Sequence, residues 1–235
     1  MNLEVRDLGR APSYRAVWDL QTAHHKAIVD WKIARRKAGE DETVDAPDRP
    51  PNTLFFVEHE HVLTLGKSGK EAHLVASPER LEELGVEYVP INRGGDITYH
   101  GPGQIVAYPI LDLELLKPDI GWYMRTLEEA IIRTCADFGL ETGRIEGLTG
   151  VWLDIERDPR KIAALGVKTS RWVTMHGLAF NVNTDLDFFN LIVPCGIQGK
   201  GVTSLQKELG QPVDHQLAQS RLQHHLLELF SSQFK

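Results

Sequence analysis

The stretch NRGGDITYHGPGQ, Asn92 to Gln104, holds four glycines, an arginine and a histidine in thirteen residues. Glycine weakens helices and strands alike, so such density marks a place where the backbone needs angles other residues avoid or must lie close against something. The segment reads as a glycine-rich turn between the strand VEYVPIN and the apolar strand QIVAYPILDL. It can act as a cradle, with Arg93, Thr98 and His100 giving polar contacts and backbone N–H groups facing a carbonyl or a phosphate. A wide hairpin loop is the plainer alternative.

The chain around it has 235 residues, 42% hydrophobic and 25% charged, the composition of an ordinary soluble globular protein. At that length roughly 70 to 75% of the unfolded surface is buried on folding, so no staple is needed. Cys135 and Cys195 are too far apart in sequence for a disulfide framework or a paired-ligand zinc motif, and they suit a reducing compartment. MNLEVRDLGRAPSYRAVW carries no apolar signal core and no run reaches about 18 uncharged apolar residues, so no membrane span and a cytoplasmic location are expected. A net charge of -7 argues against nucleic acid as the main partner.

Ser13 can cap a helix from Tyr14 toward Arg36, with Val17, Leu20, Ala27 and Trp31 on one face. Lys37 to Asn52, charged and proline-rich, reads as an exposed or disordered insertion in a single domain spanning 1–235. TLFFVEHEHVLTLG reads as two extended pieces and SPERLEELG as a short helix; Pro109 in QIVAYPILDL points to an edge strand or a bulge. In GWYMRTLEEAIIRTCADFGL, Leu127, Ile131, Cys135 and Phe138 share a helix face, which makes Cys135 structural. KIAALGVKTSRWVTMHGLAFNVN reads as a hairpin turning around Thr169, Ser170 and Arg171. Lys161 then falls opposite Ala179, with Ala164, Leu165 and Gly166 near Gly177. A short helix in VTSLQKELG and a terminal one striped by Leu217, Leu222, Leu226 and Phe230 complete the chain. Strands and helices that do not alternate strictly give an α+β class with a mixed sheet.

LGKSG, Leu65 to Gly69, is not a phosphate-binding loop, because His61 stands where the first glycine of that motif belongs. His59 and His61 in EHEH would share a strand face, yet two histidines without further placed ligands make no metal site. The doublets His24-His25 and His224-His225 read as solvated helix faces. Cys195 stands in LIVPCGIQGKG between Pro194 and Gly196, which favour a defined turn. A free thiol of pKa about 8.5 needs a partner to become a nucleophile. Lys161, at the start of the apolar run IAALG, and His176 on the opposite strand are the candidates, and a buried structural thiol is the alternative.

Together these residues resemble the octanoyltransferase family, also called lipoate-protein ligase B, which moves octanoyl from acyl carrier protein to a lysine of lipoyl domains. RGGDITYHGPGQ, KIAALG, MHGLAFN and PCG stand in family order between about Asn52 and Gly210, and the step from Lys161 to Cys195 has the family's spacing. The resemblance implies a biotin/lipoate-protein ligase catalytic-domain-like fold, with Cys195 as acyl-thioester nucleophile and Lys161 lowering its pKa and moving protons. Substrate binding falls to Arg93, Gly94, Gly95, Asp96, Ile97, Thr98, Tyr99 and His100. It falls also to the paired stretches Ala164, Leu165, Gly166 and Gly177, Leu178, Ala179, with His176 and Gln104 in support. No cofactor or metal is implied. The implied donor is octanoyl-acyl carrier protein, and the implied acceptors are lipoyl domains of 2-oxoacid dehydrogenases and the glycine cleavage H protein; the chain is read as a monomer. Arg160, Lys168, Arg171 and Lys200 would dock these acidic carriers. The competing readings are an ATP-dependent lipoate or biotin ligase of the same fold and a non-catalytic module that binds acyl carrier or lipoyl domains.

Overall fold

The computed structural model describes residues 3–11, 13–40, 46–193 and 200–232. The chain opens with strand β1 (Leu3–Ala11), helix α1 (Tyr14–Ala38), β2 (Asn52–His59) and β3 (Val62–Leu65). It continues through α2 (Pro78–Glu83), β4 (Glu87–Pro90), β5 (Ile97–His100), β6 (Gln104–Ile110) and α3 (Ile120–Asp137). β7 (Gly143–Ile145), β8 (Leu148–Leu153), the hairpin β9 (Arg160–Ser170) and β10 (Val173–Asn181), β11 (Gly201–Val202), α4 (Leu205–Leu209) and α5 (His215–Ser231) follow. Among the described residues a large mixed sheet runs in the order β1-β2-β6-β10-β9-β8-β7, with β11 paired to β9, and a small sheet runs β4-β3-β5. ITYH, inside the glycine-rich segment, is thus a strand and not part of a turn.

The large sheet is buried on both faces, which is why its central strands read as unbroken apolar runs and not as alternations. Leu54 and Phe56 of β2 pack with Ile105 and Ala107 against α3 and α5, while Phe55 and Val57 pack with Val106 and Tyr108 on the face covered by α1. Cys135 is buried in the first cluster, and burial pushes its thiol up to about 12, so it is the structural cysteine its helical spacing indicated. On α1, capped by Ser13 as expected, the buried face is Val17, Gln21, His25, Ile28 and Trp31. Leu20 and Ala27 point to solvent. On α5, Leu217 is exposed and Ala218 takes the inward place beside Leu222, Leu226 and Phe230.

Three further expectations are corrected. Pro109 lies in a central strand, paired with Leu54 of β2. The ladder tolerates it because β6 and β10 pair only from Leu178–Ala107 to Asn181–Gln104, so the missing Pro109 N–H falls where that pairing has lapsed, and Thr174 spans the gap, its hydroxyl donating to the Pro109 carbonyl at 2.7 Å and its N–H to Leu111 O at 2.9 Å. The hairpin turns on Arg171 and Trp172, both at positive φ (49° and 65°), so Gly166 pairs with Gly177, Leu165 with Leu178 and Ala164 with Ala179. Lys161 lies beyond the paired stretch. The two-residue turn lacks the Asn-Gly signal that advertises such a geometry. The third concerns only the bounds of the segment 37–52: Lys37 and Ala38 finish α1 and Asn52 opens β2, while the described residues 37–40 are exposed and residues 41–45 lie outside the description.

Asp112 holds this corner together. Its Oδ1 meets Lys32 Nζ at 2.5 Å and its Oδ2 meets Arg49 Nη2 at 2.6 Å, with the Arg49 guanidinium also stacked 4.8 Å over Trp31. Lys32 and Asp112 are essentially without solvent contact (0% and 1% exposed), so removing one partner strands charge in the interior. Asp112→Ala should therefore cost about 3 kcal/mol or more, read as a fall in the urea midpoint at unchanged slope.

Candidate active site

The glycine-rich segment and β9 meet edge to strand. The Gly94 N–H donates to Val167 O at 2.9 Å, and the Arg93 guanidinium, buried, donates through Nη2 to the Thr64 carbonyl at 2.7 Å and hydroxyl at 3.0 Å. The approach is so close that a Cβ on Gly166 would stand 2.9 Å from the Gly94 carbonyl oxygen. The LGKSG amides serve this joint too: Gly66, Lys67 and Ser68 donate to Asp96, Arg93 and Gly95 carbonyls, so none of the three is left for a phosphate.

Between these elements lies a cavity of about 640 Å³. Its walls contain Arg93 through Thr98 and His100, Lys161, Ala164 to Gly166, and His176 to Ala179. Tyr99 is not among them: it is wholly buried in the small sheet, its hydroxyl 2.7 Å from His61 Nδ1, because β5 alternates and turns Tyr99 away. Gln104 is also off the wall and acts through His100, accepting from its Nδ1 at 2.8 Å while donating to Asn181 Oδ1 at 2.9 Å. Residues that sequence reasoning missed add to the lining, among them Tyr14, Tyr108, His73, and the apolar Ile120, Met124 and Leu148. Those named come from five separate elements and carry no shared motif.

Lys161 Nζ sits 4.6 Å from the Trp152 ring centroid, a cation–π seat that steers the ammonium. Its stem runs over Gly150, where a Cβ would meet Lys161 Cε at 3.1 Å, and the Gly150 N–H is pinned by buried Glu128 at 3.0 Å. Cys195 lies outside the described residues. The described chain on either side is fixed: Val193 donates its N–H to His73 O at 2.7 Å, and Thr203 donates to Lys161 O at 2.9 Å.

His176 occupies the middle of β10 at φ 62°, a left-handed angle that costs a non-glycine residue energy and persists only where surroundings enforce it. Gln21 Oε1 takes its N–H at 3.1 Å, and its Nε2 is 2.9 Å from Asn92 Oδ1. Burial first, and then Arg93, push its pKa down to about 3; burial likewise holds His59 at about 3 and His100 at about 4. All three rings are neutral near pH 7.

The EHEH histidines do not share a site. His59 Nε2 meets the Tyr108 hydroxyl at 2.8 Å, whereas His61 packs on Phe188. The doublets are not simply solvated either: His25 is buried, and His225 Nε2 lies 2.9 Å from Asp137 Oδ2. Arg160, expected in a docking patch, is engaged by Asp154, Asp158 and Glu208.

Two outcomes follow from this packing. Between about pH 6.5 and 4 the unfolded chain binds protons at His59, His100 and His176 that the folded chain refuses. Stability should fall on acidification through that window, by up to about 1.4 kcal/mol per pH unit for each ring, and His100→Gln should flatten the urea-midpoint profile. Gly166→Ala should cost about 1 to 3 kcal/mol by overpacking and lower the melting temperature, with displacement of the glycine-rich segment visible in Gly94 amide exchange.

Residues 32–227 match the family model of the lipoyl protein ligase A/B catalytic domain. An octanoyltransferase of Flavobacterium johnsoniae is 52% identical over 98% of this chain and 97% of its own length, and one of Cytophaga hutchinsonii is 52% identical over 96% and 91%. The bipartite lipoate protein ligase of Thermoplasma acidophilum superposes with a TM-score of 0.68 at 16% identity, over 98% of this chain and 84% of that one, which supports the fold. The resemblance carried by four short motifs thus extends over nearly the whole length, and the chain belongs to the octanoyltransferase family, acyltransferases built on the lipoyl protein ligase catalytic fold.

Proposed function

We propose that the protein transfers an octanoyl group from octanoyl-acyl carrier protein to a lysine of lipoyl domains, such as those of 2-oxoacid dehydrogenases or the glycine cleavage H protein, through a thioester on Cys195. The observation that carries this reading is a single cavity lined together by Lys161, the glycine-rich segment and the paired Ala164–Gly166 and Gly177–Ala179 stretches. Ile120, Met124, Leu148, Leu165 and Leu178 give that cavity the apolar surface an acyl chain needs.

The chemistry follows from thioester energetics. The Cys195 thiolate attacks the carrier thioester, its C–S bond forms as the carrier C–S bond breaks, and Lys161 returns the Cys195 proton to the leaving carrier thiolate. One thioester replaces another, so no nucleotide is consumed. In the second half the acceptor amine attacks the acyl carbon, Lys161 takes an N–H proton, and the same proton goes to the departing Cys195 sulfur. His176, neutral and bonded to Asn92, supports the wall and is not the base. Tyr14, His100 and Tyr108 give the cavity a polar region that orients the thioester carbonyl. Among the described residues no helix is long and apolar enough to cross a membrane; in this reading the enzyme works as a cytoplasmic monomer, with Lys168, Arg171 and Lys200 left for carrier docking.

Intact mass after incubation with octanoyl-acyl carrier protein and no ATP tests the proposal. The expected result is a hydroxylamine-labile octanoyl adduct, absent in Cys195→Ala and formed at least about 100-fold more slowly in Lys161→Met. Acylation of a lipoyl domain only when ATP and free octanoate are supplied would assign a ligase instead, and neither reaction would leave a binding module.

A further inference from the structure

The cavity holds an ionisable pair that the mechanism above does not use. His73 follows Lys70 and Glu71 in a short helical turn, and its Nδ1 lies 2.5 Å from Asp96 Oδ2. Asp96 is itself held, its Oδ1 accepting the Ile97 N–H at 2.7 Å. A carboxylate only accepts, so in the neutral ring Nδ1 carries the proton and Nε2 keeps its lone pair. Both residues line the cavity, and Nε2 is the ring atom left for a ligand.

Proton balance shows what such a group is for. An acceptor lysine arrives as an ammonium, and amide formation from it releases one proton beyond those that Lys161 and Cys195 exchange between themselves. That surplus proton must leave the nitrogen before attack and must reach water afterwards. The other ionisable groups on the wall are poorly placed to carry it. His100 and His176 are buried and held neutral, with Nδ1 and Nε2 respectively engaged; Arg93 is a fixed cation; Tyr14 and Tyr108 are raised by burial. Lys161 is committed to the cysteine. His73 differs in keeping 22% of its side chain exposed, with its Nδ1 fixed by the Asp96 carboxylate at 2.5 Å so that the ring is held against the cavity.

We propose that His73, oriented by Asp96, is a second catalytic base that takes the first proton from the acceptor lysine ammonium. The N–H bond to that proton breaks as the His73 Nε2–H bond forms. The free amine then forms its C–N bond as the acyl C–S bond of the enzyme thioester breaks, with Lys161 handling the second proton, and the imidazolium releases the first to water. The pair thus serves acceptor acylation and not loading. This inference rests on the transferase reading above.

The two half-reactions separate it from a structural role. Full-length His73→Gln and Asp96→Asn are loaded from octanoyl-acyl carrier protein, and discharge to a lipoyl domain is followed in single turnovers between pH 6.5 and 9. Loading of His73→Gln should stay within about twofold of the parent. Its discharge at pH 7 should fall by about 100-fold, and the deficit should shrink as the pH rises and the acceptor arrives already deprotonated. Asp96→Asn, which alters the substrate-binding segment itself, is read by its discharge loss relative to its loading loss; that ratio should exceed one and shrink as the pH rises, and it decides the matter alone should His73→Gln not fold. Equal losses in loading and discharge, a discharge defect constant with pH, or no defect would overturn the proposal. Absence of any adduct on the parent protein would instead refute the transferase reading.

Discussion

The site exists because two pieces of backbone, far apart in sequence, are allowed to touch. Gly94 bonds to Val167, and the missing Cβ of Gly166 lets the Gly94 carbonyl pass. Arg93 reaches back to Thr64 of β3 and fixes the segment to the small sheet, so that the Gly94–Val167 bond ties the small sheet to the large one. This joint fixes one wall of the cavity against the other. The Asp96 carboxylate, the His100 ring and the entry to the β9–β10 hairpin all take their positions from it, and a methyl group at the contact would push on every one of them.

Burial without charge is the second organising idea. His100 lies close enough to His59, to His176 and to Arg93, and His176 close enough to Arg93, that imidazolium ions there would repel as well as lose hydration. Keeping the rings neutral turns them into fixed hydrogen-bond groups, and the chain from His100 through Gln104 and Asn181 to the Thr203 carbonyl links the glycine-rich segment to the strand beside Lys161. Charge is confined to positions where a partner or an aromatic face meets it, as at Asp112 and at Lys161.

Much of this was legible in the sequence, for identifiable reasons. Helix α1 was announced by its Ser13 cap, and the joint by glycine density that no regular element would carry. The hairpin's facing residues were recovered although its register was displaced, since Arg171 and Trp172 give no hint of a left-handed turn. β1 was missed because an edge strand with one face half-open carries charges, Glu4, Arg6, Asp7 and Arg10, that blur its alternation. Pro109 misled because its missing N–H faces a gap in the β6–β10 ladder that Thr174, 65 residues away, spans with its side chain, a long-range arrangement that local rules do not see. His73 was silent for the same kind of reason: its importance lies in Asp96 beside it, not in its neighbours along the chain.

The spread of the cavity wall along the sequence bears on how the protein is made. Tyr14 stands near the beginning, His176 donates its N–H to Gln21 across 155 positions, and the Lys161 carbonyl accepts from Thr203 late in the chain. A ribosome that has delivered β1, α1 and β2 has made a parallel strand pair with an apolar face but no pocket. The second wall arrives only with the late hairpin, so the edge of β6 from Gln104 to Ala107 that β10 will pair stays open through much of the synthesis. Shielding that edge until β10 inserts beside β6 is the demand this topology places on the cell.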